Sequence, residues 1–449
     1  MSRFSQAFTS IYTNSNSRSK GYPAWLQQEK EQSWKAFNHF GFPQRTSEDW
    51  KYTNFSFLKN RIFQVSQIPD NLQQIENIKI ANALNLVFIN GRYSKSFSDT
   101  PKDQSQVKIS LIKELVEESR KSQSISDALN QLKNLKGKFA KLDQDNGLIA
   151  LNTACADEGF FIQLQSTSCE QEPIHLIHIS TASAKESCAI FPQNYLLVAD
   201  GCQGIVLESF AGICKESKSS YPQCEPSLCN SKTDIYLGQG SKLQYGFVQN
   251  QEENICQISH GRVLQRSHSH FESFGLCYGA FLSRHSMEIW QEEDYASSYL
   301  NGFYTGKDKN QCEIRTSIHH KKPHGNSSQY YKGILNGKSR GVFLGKVNVY
   351  PLAQKTHAKQ LNKNLLLSSK AEADTKPILK IDTDDVKCSH GATVSQLRDE
   401  EIFYLKSRGI PEEKARKILC QGFMDETINL ISHDFLKSHF KKITKRISF

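Results

Sequence analysis

None of the twelve cysteines in this chain belongs to a CxxC pair; the nearest two, Cys224 and Cys229, sit in CEPSLC. Thiols scattered without a spacing pattern exclude a disulfide framework and read as reduced, mostly core residues. No uninterrupted apolar run approaches the roughly 20 residues that span a bilayer, so no transmembrane helix is expected. The opening stretch, MSRFSQAFTSIYTNSNSRSK, has no acidic residue and no apolar segment of the secretory kind. Its serines hint at a transit peptide, but a disordered N-terminal arm is the plainer expectation. Together these absences point to a cytoplasmic protein.

What is present suits a folded body. The 449 residues are 38% hydrophobic and 23% charged, enough for two or three domains or one elongated unit with a real core. The net charge of +10 is mild over this length, and its one cluster is the C-terminal KSHFKKITKRISF. No recognition motif accompanies that cluster, so residues 436–449 read as a solvated basic tail and no nucleic-acid partner is expected.

Residues 1–140 read as a helical region with one short strand element. PAWLQQEKEQSWKAFNHFG opens on Pro23 and stops at Gly41, with Leu26, Trp34 and Phe37 on one face. NLVFING supplies the strand and turns at Asn90-Gly91. Further apolar stripes follow, Ile112, Leu115 and Val116 in one segment and Ile125, Ala128, Leu129 and Leu132 in the next. From about residue 148 short β-rich runs alternate with turns, as in KLQYGFV, where Leu243, Tyr245 and Phe247 alternate. A sandwich, a large barrel and a β-solenoid all fit this core, taken as residues 141–390. Residues 391–435 return to helix. TVSQLRDEEIFYLKSRG carries a capping box, Thr393 with Gln396, and stops at Gly409; a second helix starts after Pro411, giving an αα-hairpin.

The stretch DDVKCSHGATVSQL raises the chemical question. Cys388 and His390 stand two apart, so on extended backbone they share a face, and thiolate with imidazole is a donor pair for zinc, copper or iron–sulfur species. A closed zinc site needs about four ligands, and no second spaced pair lies nearby, so a metal site here is incomplete. Two other readings stay open. One is a Cys–His nucleophile acting alone, for which nothing identifies an oxyanion hole. The other is a structural pair, with Cys388 in the core and His390 ordering a turn at Gly391. GILNGKSRG ends like a phosphate-binding loop at Gly337-Lys338-Ser339, but Gly333 is one residue too close, and a hairpin turn is expected instead of ATP hydrolysis. His268 and His270, and His319, His320 and His324, are either half-exposed strand residues or the lining of a metal-binding face.

The CSHGAT block with its following helices resembles the SufD family, scaffold subunits of the Suf iron–sulfur cluster assembly machinery. GFPQRTSEDWKYTN at 41–54, LNTACADEGFFIQL at 151–164 and YKGILNGKSRGVFLGKVNVYP extend the resemblance over most of residues 23–430. Paralogous SufB chains carry an acidic EHEA-type motif where this one reads CSHGAT. The resemblance implies a mainly β fold, a right-handed parallel β-helix (a β-solenoid) flanked by N-terminal and C-terminal helical regions. It implies pairing with SufB through the β-helix, a homodimer when SufB is absent, and docking of the ABC-type ATPase SufC on the C-terminal helices at Phe403, Tyr404, Arg408, Arg416 and Phe423. ATP would sit on SufC alone. His390, and second Cys388, would be donors to a nascent cluster or to iron at the SufB interface. This chain alone would hold no cofactor tightly, would not be an enzyme and would not touch a membrane. The Cys312 and Arg315 of QCEIRTSIHHKKPH replace histidines common in the family, so no accessory ligand is expected there, and residues 215–232 read as a local insertion. The alternatives from other classes are a stand-alone Cys/His thiol enzyme and a structural β-solenoid without cluster chemistry.

Overall fold

Alternation builds the middle of the chain. In the strand Lys242–Gln251, Leu243, Tyr245 and Phe247 point into a packed lumen, while Val248 and Gly246 face outward against other elements. Each strand lies parallel above its predecessor in the same sheet: Lys242 pairs with His270, His270 with Ser297, Ser297 with Asn326 and Asn326 with His357. One coil thus takes roughly 30 residues, within the usual solenoid range. Consecutive strands alternate between two long sheets, giving a β-solenoid of about 7 turns, so sandwich and barrel are both excluded. The computed structural model describes residues 3–58, 61–65, 72–101, 106–119, 121–142, 146–167, 172–181, 186–213 and 225–447. The first sheet contains Lys242–Gln251 and ends at Val386–Gln396; the second contains Ser227–Leu237 and ends at Glu372–Ile381.

Two local expectations change once the topology is known. Asn336-Gly337 joins Asn326–Leu335 to Arg340–Val349, which belong to different sheets, so it is a solenoid corner and not a hairpin. Gly337 has φ +64, and a Cβ there would meet the Asp308 backbone nitrogen at 2.8 Å. The proposed insertion lies partly outside the described residues, and its last residues, from Ser227 onward, form an ordinary buried strand.

Each sheet has its own cover. The helices α1 (Arg3–Arg18), α2 (Ala24–Phe40), α3 (Ile112–Glu118), α4 (Gln123–Ala140) and α5 (Gly147–Cys155) pack on the outer face of the second sheet. The opening stretch is therefore a helix and not a disordered arm. Ala7, Phe8 and Ile11 are buried, a stripe at helical spacing that the surrounding polar residues obscured. Lys30 on α2 is buried against α1 and donates to the Ser15 hydroxyl and the Ala156 carbonyl; burial pushes its pKa down to about 8. The EDWKYT element is a clasp over the same sheet. Arg284 lies 3.5 Å from the Trp50 ring centroid, Thr53 donates to the Glu313 carboxylate at 2.9 Å, and Lys346 and Lys376 meet Asp49 and Glu48.

The first sheet is covered by α7 (Glu412–Ile428) and α8 (Asp434–Thr444), while α6 (Asp399–Ser407) packs on α7. Met424, Ile428, Leu436 and Phe440 pack on Leu207, Phe274, Phe303 and Ile334 of its outer face. The basic tail is thus a docked helix: its lysines flank an apolar stripe, so the charge concealed a packing face. The capping box at Thr393 is also replaced. The strand continues to Gln396, the first helix begins at Asp399, and Arg398 is its N-cap. Pairing of that strand with Thr356–Leu366 supplies hydrogen bonds that a cap would otherwise have to provide.

Candidate functional site

At its N-terminal end the solenoid closes on antiparallel strands, Arg92–Tyr93 against Leu84–Ile89 and Val107–Leu111 against Phe160–Leu164. At the other end Glu372–Ile381 and Val386–Gln396 each have a neighbour on one side only among the described residues. Cys388 and His390 lie on the second of these edge strands. There is no turn at Gly391, whose backbone is mid-strand, so the structural reading of His390 as a turn residue is removed.

Register fixes which way the pair faces. Ala358, Gln360 and Asn362, all buried in the lumen, stand opposite Cys388, His390 and Ala392. Parallel partners share a face, so Cys388 and His390 both look into the lumen at its open mouth. They are uncovered because no further coil lies above them. Cys388 is half-buried against Val347, Val349, Ala353 and Ala358, while His390 is exposed. Burial raises the Cys388 thiol above its ordinary value, with a backbone hydrogen bond at Ala358 acting weakly against it. Ile381 and Val394, 40% and 46% exposed, flank the mouth as an apolar rim.

The other sequence candidates disperse. Among the described residues no three His, Cys, Asp or Glu side chains converge as a metal site. His268, Tyr295 and His324 stack on one another at successive corners, with ring centroids 4.9 and 4.4 Å apart. His270 bonds Ser297, His319 stacks on Trp290 and reaches Glu288 at 3.0 Å, and His320 is buried beside Ser327. Cys312 is in the lumen and Arg315 is paired with Glu313 on the opposite face of its strand. Of the nine described cysteines, eight are buried and only Cys388 is partly open.

On the C-terminal helices Phe403 and Tyr404 are 72% and 58% exposed, Arg408 lies over the Tyr404 ring, and Arg416 pairs with Glu412. Phe423 faces the other way. It is half-buried, with the Lys332 ammonium 4.0 Å from its ring centroid, and it helps to seat α7 on the solenoid. A groove of about 770 Å³ runs between the α7–α8 connection and the first sheet, lined by Tyr299, Tyr330, Lys242, Lys359 and His433 among others.

Sequence reasoning missed the lumen residues. Glu208 is fully buried and accepts from Thr233, Asn194 and Tyr245, with His178 Nε2 at 3.0 Å. Burial raises its pKa, but the hydrogen bond and charge of His178, with the Tyr245 and Thr233 hydroxyls, outweigh this and hold the carboxyl below its ordinary range. Gln329 and Gln360 form a column under His390. A coil length of roughly 30 residues, counted back from His390, would have found them.

Two family models match this chain. The SufBD core domain of the SUF system for FeS cluster assembly covers residues 179–423, and the SufBD protein N-terminal region covers residues 2–176. An iron–sulfur cluster assembly SufBD family protein of Synechocystis sp. is 30% identical over 392 residues, 87% of this chain and 84% of that one. The iron–sulfur cluster assembly protein SufD of Escherichia coli is 28% identical over 399 residues, 88% and 87% of the two chains. The chloroplastic protein ABCI7 of Arabidopsis thaliana is 26% identical over 426 residues, 93% and 86%. With its parallel solenoid between helical flanks and both regions matched, the chain belongs to the SufBD family of SUF-system iron–sulfur cluster assembly proteins.

Proposed function

We propose that this chain is a SufD-type, non-enzymatic scaffold that pairs with SufB through the open end of its solenoid. One observation carries the reading: a thiol and an imidazole face the lumen from an edge strand, with no third donor from the described residues beside them. Iron–sulfur clusters are usually held by several thiolates, so half a site at an open edge calls for the other half from a second chain. Unpaired strands with an apolar rim are ready templates for strand addition. His390 is then the principal donor to a nascent cluster or to iron, and Cys388 the second. The cluster is cargo, and no cofactor is held tightly by this chain by itself.

The exposed Phe403, Tyr404, Arg408 and Arg416 offer an aromatic and basic surface on the C-terminal helices for the ATPase SufC, and ATP binds there and not on this chain. Buried thiols without a disulfide among the described residues suit a reducing compartment, the cytoplasm. When SufB is absent the same open end serves a homodimer. A stand-alone thiol enzyme is disfavoured, because burial moves the Cys388 thiol away from the thiolate such an enzyme needs.

The test is anaerobic reconstitution of the purified SufB–SufC–SufD complex, wild type against His390→Ala, with iron and sulfide quantified. The expected result is an assembled complex whose cluster yield falls about tenfold or more, the scale seen when a metal site loses an important group. Unchanged yield removes His390 from the role.

A further inference from the structure

The lumen beneath His390 holds an arrangement that packing does not explain. Leu300, Gln329, Gln360 and His390 stand one above another in register on four successive strands of the first sheet. Gln329 and Gln360 are each 1% exposed. Neither polar atom of the Gln360 amide has a hydrogen-bond partner among the described residues, and the amide nitrogen of Gln329 has none either. The Gln329 oxygen accepts from the Thr316 hydroxyl at 2.5 Å. A buried amide left unbonded costs roughly 1–3 kcal/mol. Leucine fills the same column two coils earlier without that cost. This column therefore changes from Leu300 to two amides over the coils beneath His390, at the expense of the chain's own stability.

Neighbouring strands lie about 4.8 Å apart, so side chains of register partners on one face are within reach of each other. We propose that Gln360 is the positioning residue of His390: its side-chain oxygen accepts one ring N–H of the imidazole, leaving the other ring nitrogen directed at the open mouth. This rests on the reading of His390 as a donor. A ligating imidazole is commonly held in this way by a carbonyl or carboxylate, which fixes both tautomer and ring plane. The exposed ring in the chain by itself does not make the bond. A partner strand laid along Val386–Gln396 covers the ring, excludes competing water and closes the column.

The test uses the assembled complex with this chain labelled with nitrogen-15 in histidine. Wild type, Gln360→Leu, Gln360→Glu and His390→Ala are compared by solid-state NMR of the ring nitrogens and by cluster yield. His390→Ala identifies the resonances. In wild type one tautomer dominates. Gln360→Leu, similar in size but without an acceptor, yields a tautomer mixture and lowers cluster yield about tenfold or more, the usual scale for a lost outer partner. Gln360→Glu keeps the acceptor and restores the single tautomer. An unchanged tautomer ratio in Gln360→Leu overturns the proposal, even if yield falls, because the glutamine would then be structural only. Failure of Gln360→Glu to restore the tautomer overturns it as well. If His390→Ala leaves yield unchanged while the tautomer follows Gln360, the donor reading fails and the positioning contact stands.

Discussion

Two buried polar groups in the same lumen, Glu208 and Gln360, have opposite surroundings. Glu208 lies in the closed part of the solenoid, and its carboxylate is engaged by Asn194, Thr233 and Tyr245, with His178 beside it. Gln360 lies one strand from the open end, and its amide is engaged by nothing in the described chain. Burying a polar group is tolerated when its hydrogen bonds are made. The first network is built wholly from one polypeptide, with only the far ring nitrogen of His178 left unbonded among the described residues, and serves stability. The second is unsatisfied within the described chain, and on the proposal above His390 completes it once a partner strand covers the ring.

That contrast is breakable. Glu208→Ala should destabilise the chain by about 3–5 kcal/mol, the cost of removing one member of a buried, bonded pair, measured by urea unfolding. Its carboxyl is held below the ordinary glutamate value of 4.5 in the fold. The stabilisation is therefore present above that value and is lost as pH falls through the lower, folded one. Wild type should lose stability on acidification that Glu208→Gln does not. If the two proteins acidify alike, the network is not the source.

Gln360→Leu in the isolated chain should leave stability unchanged or raise it by up to about 1–3 kcal/mol, since an unbonded buried amide is removed. A clear loss in the same urea titration would show that the amide is already satisfied. The smallest effect on folding is expected at the rim. Val394→Lys, at a half-open position, should change stability by no more than about 0.5 kcal/mol. The desolvated, unpaired charge should nevertheless weaken pairing at the open end tenfold or more, read by co-elution with SufB on size exclusion.

Much of the solenoid was legible because its cause is local. Alternation at Leu243, Tyr245 and Phe247 marks strands, and Asn336-Gly337 marks a turn; neither says which strands pair, because pairing joins residues about 30 positions apart. The resemblance carried by CSHGAT supplied that step. The composition of α8 resembles a solvated tail because Lys441 and Lys442 dominate it, while Leu436 and Phe440 do the packing. The EDWKYT element stands out in the sequence as part of the family resemblance, but its role as a clasp depends on Arg284 and Glu313, far along the chain.

By itself the sequence determined the β-rich middle between helical ends, the unpatterned thiols, and the pairing of Cys388 with His390 on one face of an extended segment. Only the tertiary structure decided that this face is the lumen, that the strand is the last of its sheet, and that Gln360 lies beneath the ring. The physical reason is that side-chain direction within a strand follows from neighbouring residues, whereas the identity of the neighbour across a parallel sheet is set by how many residues each coil consumes.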